Sequence, residues 1–155
     1  MSQVFRFSVV RFFTAASCAA AFVAGQPSSA PAQAAASSIL SESPAYAVVV
    51  DDIAAKVGTH TVLRVTLRPR AGYRILKAYE NRVARFSAAD DGVAFDTKMI
   101  RGEVEGGSLV FAIGVTPTKP GKHPINGVFR VGYIEGSNDL SMVSLPLIAN
   151  VTGTE

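Results

Sequence analysis

Alternation of apolar and polar side chains predicts β-strands along most of this chain. In residues 60–68, Leu63, Val65 and Leu67 alternate with threonine and arginine, as expected for a strand with one buried face. Residues 109–115 and 125–133 show the same period of two, and further extended segments occur at 45–50, 83–87, 93–101 and 140–151. We therefore expect about seven strands and no helix of useful length.

Glycine, proline and aspartate mark the turns between these segments. Gly72 suits a turn that requires a positive φ, and Gly106-Gly107 predicts a tight hairpin turn. Pro120-Gly121 suits a type II turn, and Pro146 within the last strand predicts an edge position or a bulge. Short strands with such turns are typical of an all-β, immunoglobulin-like antiparallel β-sandwich, although the chain has no Trp and lacks the Cys–Trp–Cys marks of antibody domains.

The beginning of the chain differs in composition from the rest. Residues 1–34 show the three parts of a secretory signal peptide: Arg6 and Arg11 in front, an apolar segment over residues 12–25, and the small-residue site Ala32-Gln33-Ala34. Spanning a bilayer takes about 20 apolar residues, so this segment favours cleavage near Ala34 over an uncleaved membrane anchor. We expect a periplasmic or secreted protein with no membrane span after cleavage, a flexible, loosely ordered lead-in at residues 35–44, and one domain at residues 45–155.

Cysteine usage excludes several kinds of chemistry. The only cysteine is Cys18, inside the predicted signal peptide, and lipidation of Cys18 is the alternative to cleavage after Ala34. Cleavage after Ala34 leaves no thiol, and therefore no disulfide, thiolate nucleophile or cysteine-ligated metal.

Charge is nearly balanced once the signal peptide is removed. Without Arg6 and Arg11, the 15 basic residues fall to 13 against 12 acids. Eight basic residues lie between positions 56 and 85 with only the acidic Glu80 among them, and such a cluster can bind nucleic acid or anionic lipid. Export argues against nucleic acid, and arginine alternating along a strand is commonly a solvated outer face.

Residues suited to catalysis are sparse. His60 and His123 lie on different predicted elements, and His123, at the start of a strand, is expected to be exposed. General acid–base catalysis needs a positioned partner, so we predict no catalytic residue, no enzyme activity and no cofactor. A Cu(I) site from His123, Met99 and Met142 is chemically permissible, but their spacing does not support it, and we predict no metal site.

The segment Gly72–Tyr79 is the strongest candidate for binding. It combines two tyrosines, Tyr73 and Tyr79, with Arg74 and Lys77, and tyrosine and arginine are frequent interface anchors. We therefore predict these four residues as a partner-binding corner. The alternative is that both tyrosines close one end of the sandwich core.

Two segments resemble the amino-terminal domain of the periplasmic thiol:disulfide interchange protein DsbD and its small exported relatives. The family carries a segment similar to Gly-Tyr-His-Ile-Asn-Lys-x-Tyr-Pro after its first long strand. The positions that match it are Gly72, Tyr73, Ile75, Lys77 and Tyr79, whereas Arg74, Leu76 and Glu80 replace the His, Asn and Pro. Residues 119–122 and 125–130 resemble the Pro-Gly turn and the strand that leads to the first family cysteine. The resemblance covers roughly residues 45–151.

This resemblance implies an immunoglobulin-like fold, export and a partner-binding surface. The family's redox activity depends on two cysteines, but Tyr133 and Ile134 fall near the first position, and Asn138 and Asp139 near the second. Without thiolates there is no exchange chemistry. We therefore expect an exported, redox-inactive module that binds a protein partner in the cell envelope. The alternative is a periplasmic carrier of a small ligand or metal.

Overall fold

The computed structural model describes residues 37–155, and the predicted signal peptide with Cys18 lies outside this range. Within it the chain forms twelve strands and no helix long and apolar enough to cross a membrane. The strands are β1 (Ser37–Glu42), β2 (Tyr46–Asp51), β3 (Ile53–Lys56), β4 (Thr61–Pro69), β5 (Tyr73–Ile75), β6 (Arg82–Ala88), β7 (Val93–Phe95), β8 (Met99–Arg101), β9 (Glu103–Glu105), β10 (Ser108–Pro117), β11 (Gly121–Glu135) and β12 (Asp139–Thr154).

Two sheets form the domain. The first has the order β1-β2-β4-β10-β7, with β9 also paired to β10, and the second has the order β3-β12-β11-β6-β8, with β5 also paired to β11. Strands β2-β4-β10-β7 take the A-B-E-D positions of an immunoglobulin domain, and β12-β11-β6 take the G-F-C positions. The predicted immunoglobulin-like sandwich is therefore confirmed.

The strand count needs correction. Seven strands occupy the immunoglobulin positions, but five short strands, β1, β3, β5, β8 and β9, were not predicted as separate elements. The sandwich is also not wholly antiparallel, because β3 pairs with the end of β12 in parallel. Residues 93–101, predicted as one strand, divide between β7 on the first sheet and β8 on the second.

The lead-in predicted at residues 35–44 also contains regular structure. Ser37–Glu42 form β1, an edge strand that pairs with β2, and the Ser37 hydroxyl donates to the Asp51 carboxylate at 2.6 Å. Edge pairing uses backbone groups and buries few side chains, so the Ser/Ala-rich composition gave no alternating pattern to detect.

The core lies between the sheets, where the apolar faces predicted from the alternating segments meet. Phe111 of β10 and Phe129 of β11 are both buried, and their ring centroids lie 5.3 Å apart across the interface. Leu63, Ile113 and Leu147 are also buried in this cluster. Burial of large apolar side chains from both sheets is the main stabilising contribution to such a sandwich.

Two predicted turns have the expected backbone geometry. Gly72 has a φ of 86°, and it precedes β5. Gly106 and Gly107 have φ values of 54° and 83° and join β9 to β10, where Glu105 and Ser108 face each other. Positive φ at both central residues is the geometry of a two-residue hairpin, which glycine adopts without steric cost.

Candidate interaction surface on the second sheet

The β11–β12 hairpin and the Gly72–Tyr79 corner meet at one end of the sandwich. Strand β5 pairs with the end of β11, which places Arg74 beside Ile134 and Ile75 beside Tyr133. Asp139 begins β12 directly opposite Glu135, and Asn138 precedes it in the turn. The structure therefore brings together the predicted binding corner and all four positions near the missing family cysteines.

Tyr73 faces the interior at this end. Its ring centroid lies 5.9 Å from that of Tyr133, which in turn lies 6.0 Å from the ring of Tyr46 on the first sheet. The Tyr73 hydroxyl donates to the Glu135 carboxylate at 2.9 Å, and this hydrogen bond raises the pKa of Tyr73. These three tyrosines close the end of the core. Tyr73 therefore fits the alternative stated above, in which the tyrosine closes one end of the sandwich and does not contact a partner.

Tyr79 lies on the opposite, outer side of the second sheet. A Cβ atom added to Gly132 would lie 2.9 Å from the Cβ of Tyr79, so the tyrosine packs directly on the bare backbone of β11. The absence of a side chain at Gly132 therefore makes room for Tyr79, which is half-buried.

Asn81 holds this arrangement and was not identified from the sequence. It is only 5% exposed, its amide donates to the carbonyls of Leu76 and Tyr79 at 3.0 and 3.2 Å, and its side-chain oxygen accepts from the Gly132 amide at 2.9 Å. An asparagine in a turn often bonds nearby backbone groups, but its long-range partner Gly132 is visible only in the fold.

The register of the second sheet arranges side chains in rows on its outer face. One row contains Arg74, Ile134 and Leu140. The next contains Gly132, covered by Tyr79, and Met142, and the third contains Arg130 and Ser144. Leu140 is 66% exposed and Met142 is 72% exposed. We call this surface the outer patch, and it comprises Arg74, Tyr79, Arg130, Ile134, Leu140 and Met142.

The predicted corner residues differ in their relation to the outer patch. Arg74 is exposed, and its guanidinium donates to the Ser137 carbonyl at 3.2 Å, which holds it against the hairpin turn. Lys77 is exposed in the turn that carries Tyr79. Three of the four predicted residues, Arg74, Lys77 and Tyr79, therefore face outward, and Tyr73 does not.

The basic cluster seen in the sequence is divided in three dimensions. On the first sheet Arg64 pairs with Glu105, and Arg70 pairs with Glu42 at 2.9 Å. On the second sheet Arg82 lies 3.7 Å from Glu80. These residues do not form one continuous basic face, and exposed pairs of this kind each contribute little to stability.

His123 is buried, so the prediction that it is exposed was wrong. It is 5% exposed, with Nδ1 3.0 Å from an Asp90 carboxylate oxygen and Nε2 2.9 Å from the Lys119 carbonyl oxygen. Gly92 makes room for the ring, because a Cβ atom there would lie 2.0 Å from Nδ1. The hydrogen bond to Asp90 raises the pKa of His123, and the same contact lowers the pKa of Asp90.

The register separates the residues considered for copper. Met142 lies opposite Gly132, nine positions along β11 from His123, which corresponds to roughly 30 Å at the rise of a β-strand. Within residues 37–155 no group of three or more histidine, cysteine, aspartate or glutamate side chains is placed to hold a metal ion. His60 pairs with Asp96 at 2.7 Å, and both side chains are exposed.

A groove of about 400 Å³ lies beside β8, β9 and β10. Its lining is mixed in character: Arg64, Met99, Ile100, Arg101, Glu103, Glu105, Val110 and Ala112. Val110 and Ala112 belong to the face of β10 that points away from the core. The groove is therefore outside the sandwich interior.

Comparison with known proteins assigns no family. No family model matches the chain, and no curated protein matches it. Among solved structures, the GAE domain of GGA2p from Saccharomyces cerevisiae is similar over 77% of this chain and 100% of that domain, with 8% sequence identity and a TM-score of 0.36. Similarity at this level carries no argument, and the fold assignment above rests on strand order.

Proposed function

We propose that this protein is an exported, non-catalytic immunoglobulin-like module that binds a protein partner in the cell envelope through the outer patch. The observation that carries the proposal is the exposure of Leu140 and Met142 beside Tyr79 and Arg74. Interface centres are poor in acidic residues and lysine and rich in tyrosine, methionine and arginine, and the outer patch has this composition.

The backbone beneath the outer patch is well supported. Strands β11 and β12 pair continuously from Gly121 with Gly153 to Glu135 with Asp139, and Asn81 ties the Tyr79 turn to Gly132. A surface held in this way loses little conformational entropy when a partner binds, which favours affinity.

Export and the absence of catalysis are parts of the proposal with separate support. Export is supported by the signal-peptide pattern of residues 1–34, which lie outside the described residues. The absence of cysteine from residues 37–155 supports a redox-inactive module despite the resemblance to the DsbD amino-terminal domain. Burial of His123 between two loops supports a structural role for its pair with Asp90.

A pull-down from envelope extract tests the Gly72–Tyr79 corner, which contributes Arg74 and Tyr79 to the outer patch. Immobilised wild-type protein is compared with the double variant Arg74→Glu/Lys77→Glu and with Arg68→Glu, an exposed charge reversal on the first sheet. We expect the double variant to lose at least about tenfold in partner recovery, since charge reversal beside an apolar centre is strongly unfavourable, and Arg68→Glu to retain it. Equal recovery with all three proteins would contradict the role of this corner.

The groove between β8 and β10 supports a second candidate function, a carrier of a small ligand. Its volume is within the range of small-molecule sites, and apolar Val110 and Ala112 lie beside charged Arg101 and Glu103. Native mass spectrometry of protein purified from its own compartment tests this candidate. A bound mass that is lost on denaturation and is absent from an Ala112→Trp variant would support it, whereas the mass of the polypeptide alone would count against it.

A further inference from the structure

Among residues 37–155, the second sheet has a long edge that no strand covers. Strand β12 pairs with β11 from Asp139 to Gly153, but β3 covers its other side only from Val151 to Thr154. Within the part of the chain that the structure describes, no strand pairs with residues 140–150 on that side. An uncovered edge of this kind is a template for another strand.

Two prolines identify which backbone groups face the open edge. Pro124 lies opposite Asn150 and Pro146 lies opposite Val128 in one continuous register, and because proline has no N–H, neither pair is a hydrogen-bonded pair. The carbonyls of Pro124 and Gly132 accept from Ala89 and Leu76, on the side of β11 away from β12, which agrees with this assignment.

Alternation along β12 then gives the free groups. Leu140, Met142, Ser144 and Ile148 direct both N–H and C=O to the open edge, whereas Pro146 directs only its carbonyl there. No charged residue occurs from Leu140 to Ile148, so this edge lacks the lysines and other charges that commonly prevent pairing between chains.

We propose that a second copy of this chain pairs antiparallel with β12, with the two-fold axis at Met142. In this register Met142 faces Met142 of the second copy, and Leu140 faces Ser144 of the second copy. Every position in these pairs has a free N–H, and each pair exchanges two hydrogen bonds. The two second sheets then form one continuous sheet across a symmetric interface.

Pro146 excludes a register displaced further along β12. If the axis lay at Val143, Leu140 would face Pro146 of the second copy, and the missing N–H would remove hydrogen bonds at both ends. With the axis at Met142, both prolines lie beyond the paired segment and stop it from extending. The half-buried Val143 and Leu145, at the rim of the core, gain cover from the added strand.

Charge and self-complementarity favour a second copy over a foreign peptide. On the outer face the row continues from Ile134 and Leu140 to Ser144 and Arg130 of the second copy, so no like charges face each other. Asp139 faces the apolar Leu145 of the second copy. The uncharged segment around Met142 has free backbone N–H and C=O groups on both sides of its centre. A second copy in the antiparallel direction therefore supplies every hydrogen-bonding partner, and no complementary sequence from another protein is needed.

Sedimentation equilibrium of the purified protein tests the proposal with two matched variants. Met142→Pro removes the central N–H, and Ile148→Pro removes a free N–H outside the paired segment. Both positions have the same orientation as Pro146, so neither change removes a hydrogen bond to β11. We expect a reversible doubling of mass with rising concentration for wild type and Ile148→Pro, and monomer for Met142→Pro at the same concentrations.

Hydrogen exchange provides a readout that does not need a variant. We expect the Leu140, Met142 and Ser144 amides to exchange at least about tenfold more slowly than the Ile148 amide at concentrations that favour the dimer. A monomeric wild type, or a dimer retained by Met142→Pro, would overturn the proposal. Protection of Ile148 equal to that of Met142 would also overturn it and would indicate that a longer segment covers the edge.

These measurements use the purified protein alone, whereas the proposed function is tested with envelope extract and the Arg74→Glu/Lys77→Glu variant. A dimer without partner recovery, or partner recovery by a monomer, therefore separates the two proposals. Edge pairing uses the backbone of β12 and places the outer patches of the two copies side by side on one face of the joined sheet, so both properties can occur in one molecule.

Discussion

His123 is held by acceptors at both ring nitrogens. Nδ1 faces the Asp90 carboxylate and Nε2 faces the Lys119 carbonyl, so the contacts are both satisfied only when each nitrogen carries a hydrogen. The protonated ring then joins the Asp90–Gly92 turn to the loop that precedes β11. This is a structural use of a positioned histidine–aspartate pair, in a place where the sequence predicted only an exposed side chain.

The stability contributed by His123 should depend on pH. Its pKa is raised in the folded protein, so its contribution is fully present below the unfolded value of about 6.5 and is lost as pH rises through the folded pKa. We expect the difference in free energy of unfolding between wild type and His123→Gln to shrink between pH 6 and pH 9. The pH dependence of the Asp90 contribution is opposite. The pKa of Asp90 is lowered in the folded protein, so its contribution to stability is lost as pH falls through the folded pKa.

Urea denaturation across this pH range measures the effect, and His60→Gln is the matched control because His60 is exposed on another loop. If the difference in free energy of unfolding between wild type and His123→Gln stays constant or grows above pH 7, the charged form of His123 is not the stabilising one.

Strand pairing at the scale of the β11–β12 hairpin makes a second prediction. Ile134 and Leu140 lie directly opposite each other, and opposed residues in antiparallel strands have Cα atoms about 4.5–5.5 Å apart, within the range that a disulfide spans. We expect Ile134→Cys/Leu140→Cys to form a disulfide under air oxidation. Ile134→Cys/Ser141→Cys places the thiols on opposite faces and should remain reduced.

Intact mass after alkylation distinguishes the two variants, because a disulfide blocks both thiols. Free thiols in the Ile134→Cys/Leu140→Cys variant would show that the register is wrong. The result also bears on the resemblance to the DsbD amino-terminal domain, since this hairpin carries the positions near its two cysteines. Closure would show that the backbone accommodates a cysteine pair, without assigning this protein an exchange reaction.

The same elements show what the sequence can and cannot predict. The alternation in residues 109–115 and 125–133 predicted β10 and β11 and their buried faces, because the pleat converts a period of two directly into one buried side. Strand β3 has no such signal, since its parallel pairing depends on the distant end of β12. Tyr73 and Tyr79 look equivalent in sequence. The pairing of β5 with β11 places Tyr73 on the inner face of the second sheet, whereas packing on Gly132 places Tyr79 on the outer face.

At the scale of the whole molecule, the outer patch and the open edge of β12 depend on the same two-layer core. Phe129 of β11 is buried between the sheets, while its neighbour Arg130 reaches the outer face. The ion pairs, in contrast to the apolar core, lie on the surface: both partners are exposed in Arg70–Glu42 and in Arg101–Glu80. The physical expectation is that packing across the core, and not these ion pairs, determines the stability of the domain.

Matched truncations test that expectation. Phe129→Ala removes a buried ring that contacts Phe111, and we expect it to lower the free energy of unfolding by about 3–5 kcal/mol. Arg70→Ala breaks the exposed pair with Glu42, and we expect a loss of no more than about 1 kcal/mol. Urea denaturation at neutral pH measures both. Similar losses for the two variants would mean that surface charge contributes as much as the core, and β11 would then be a poor support for either proposed binding property.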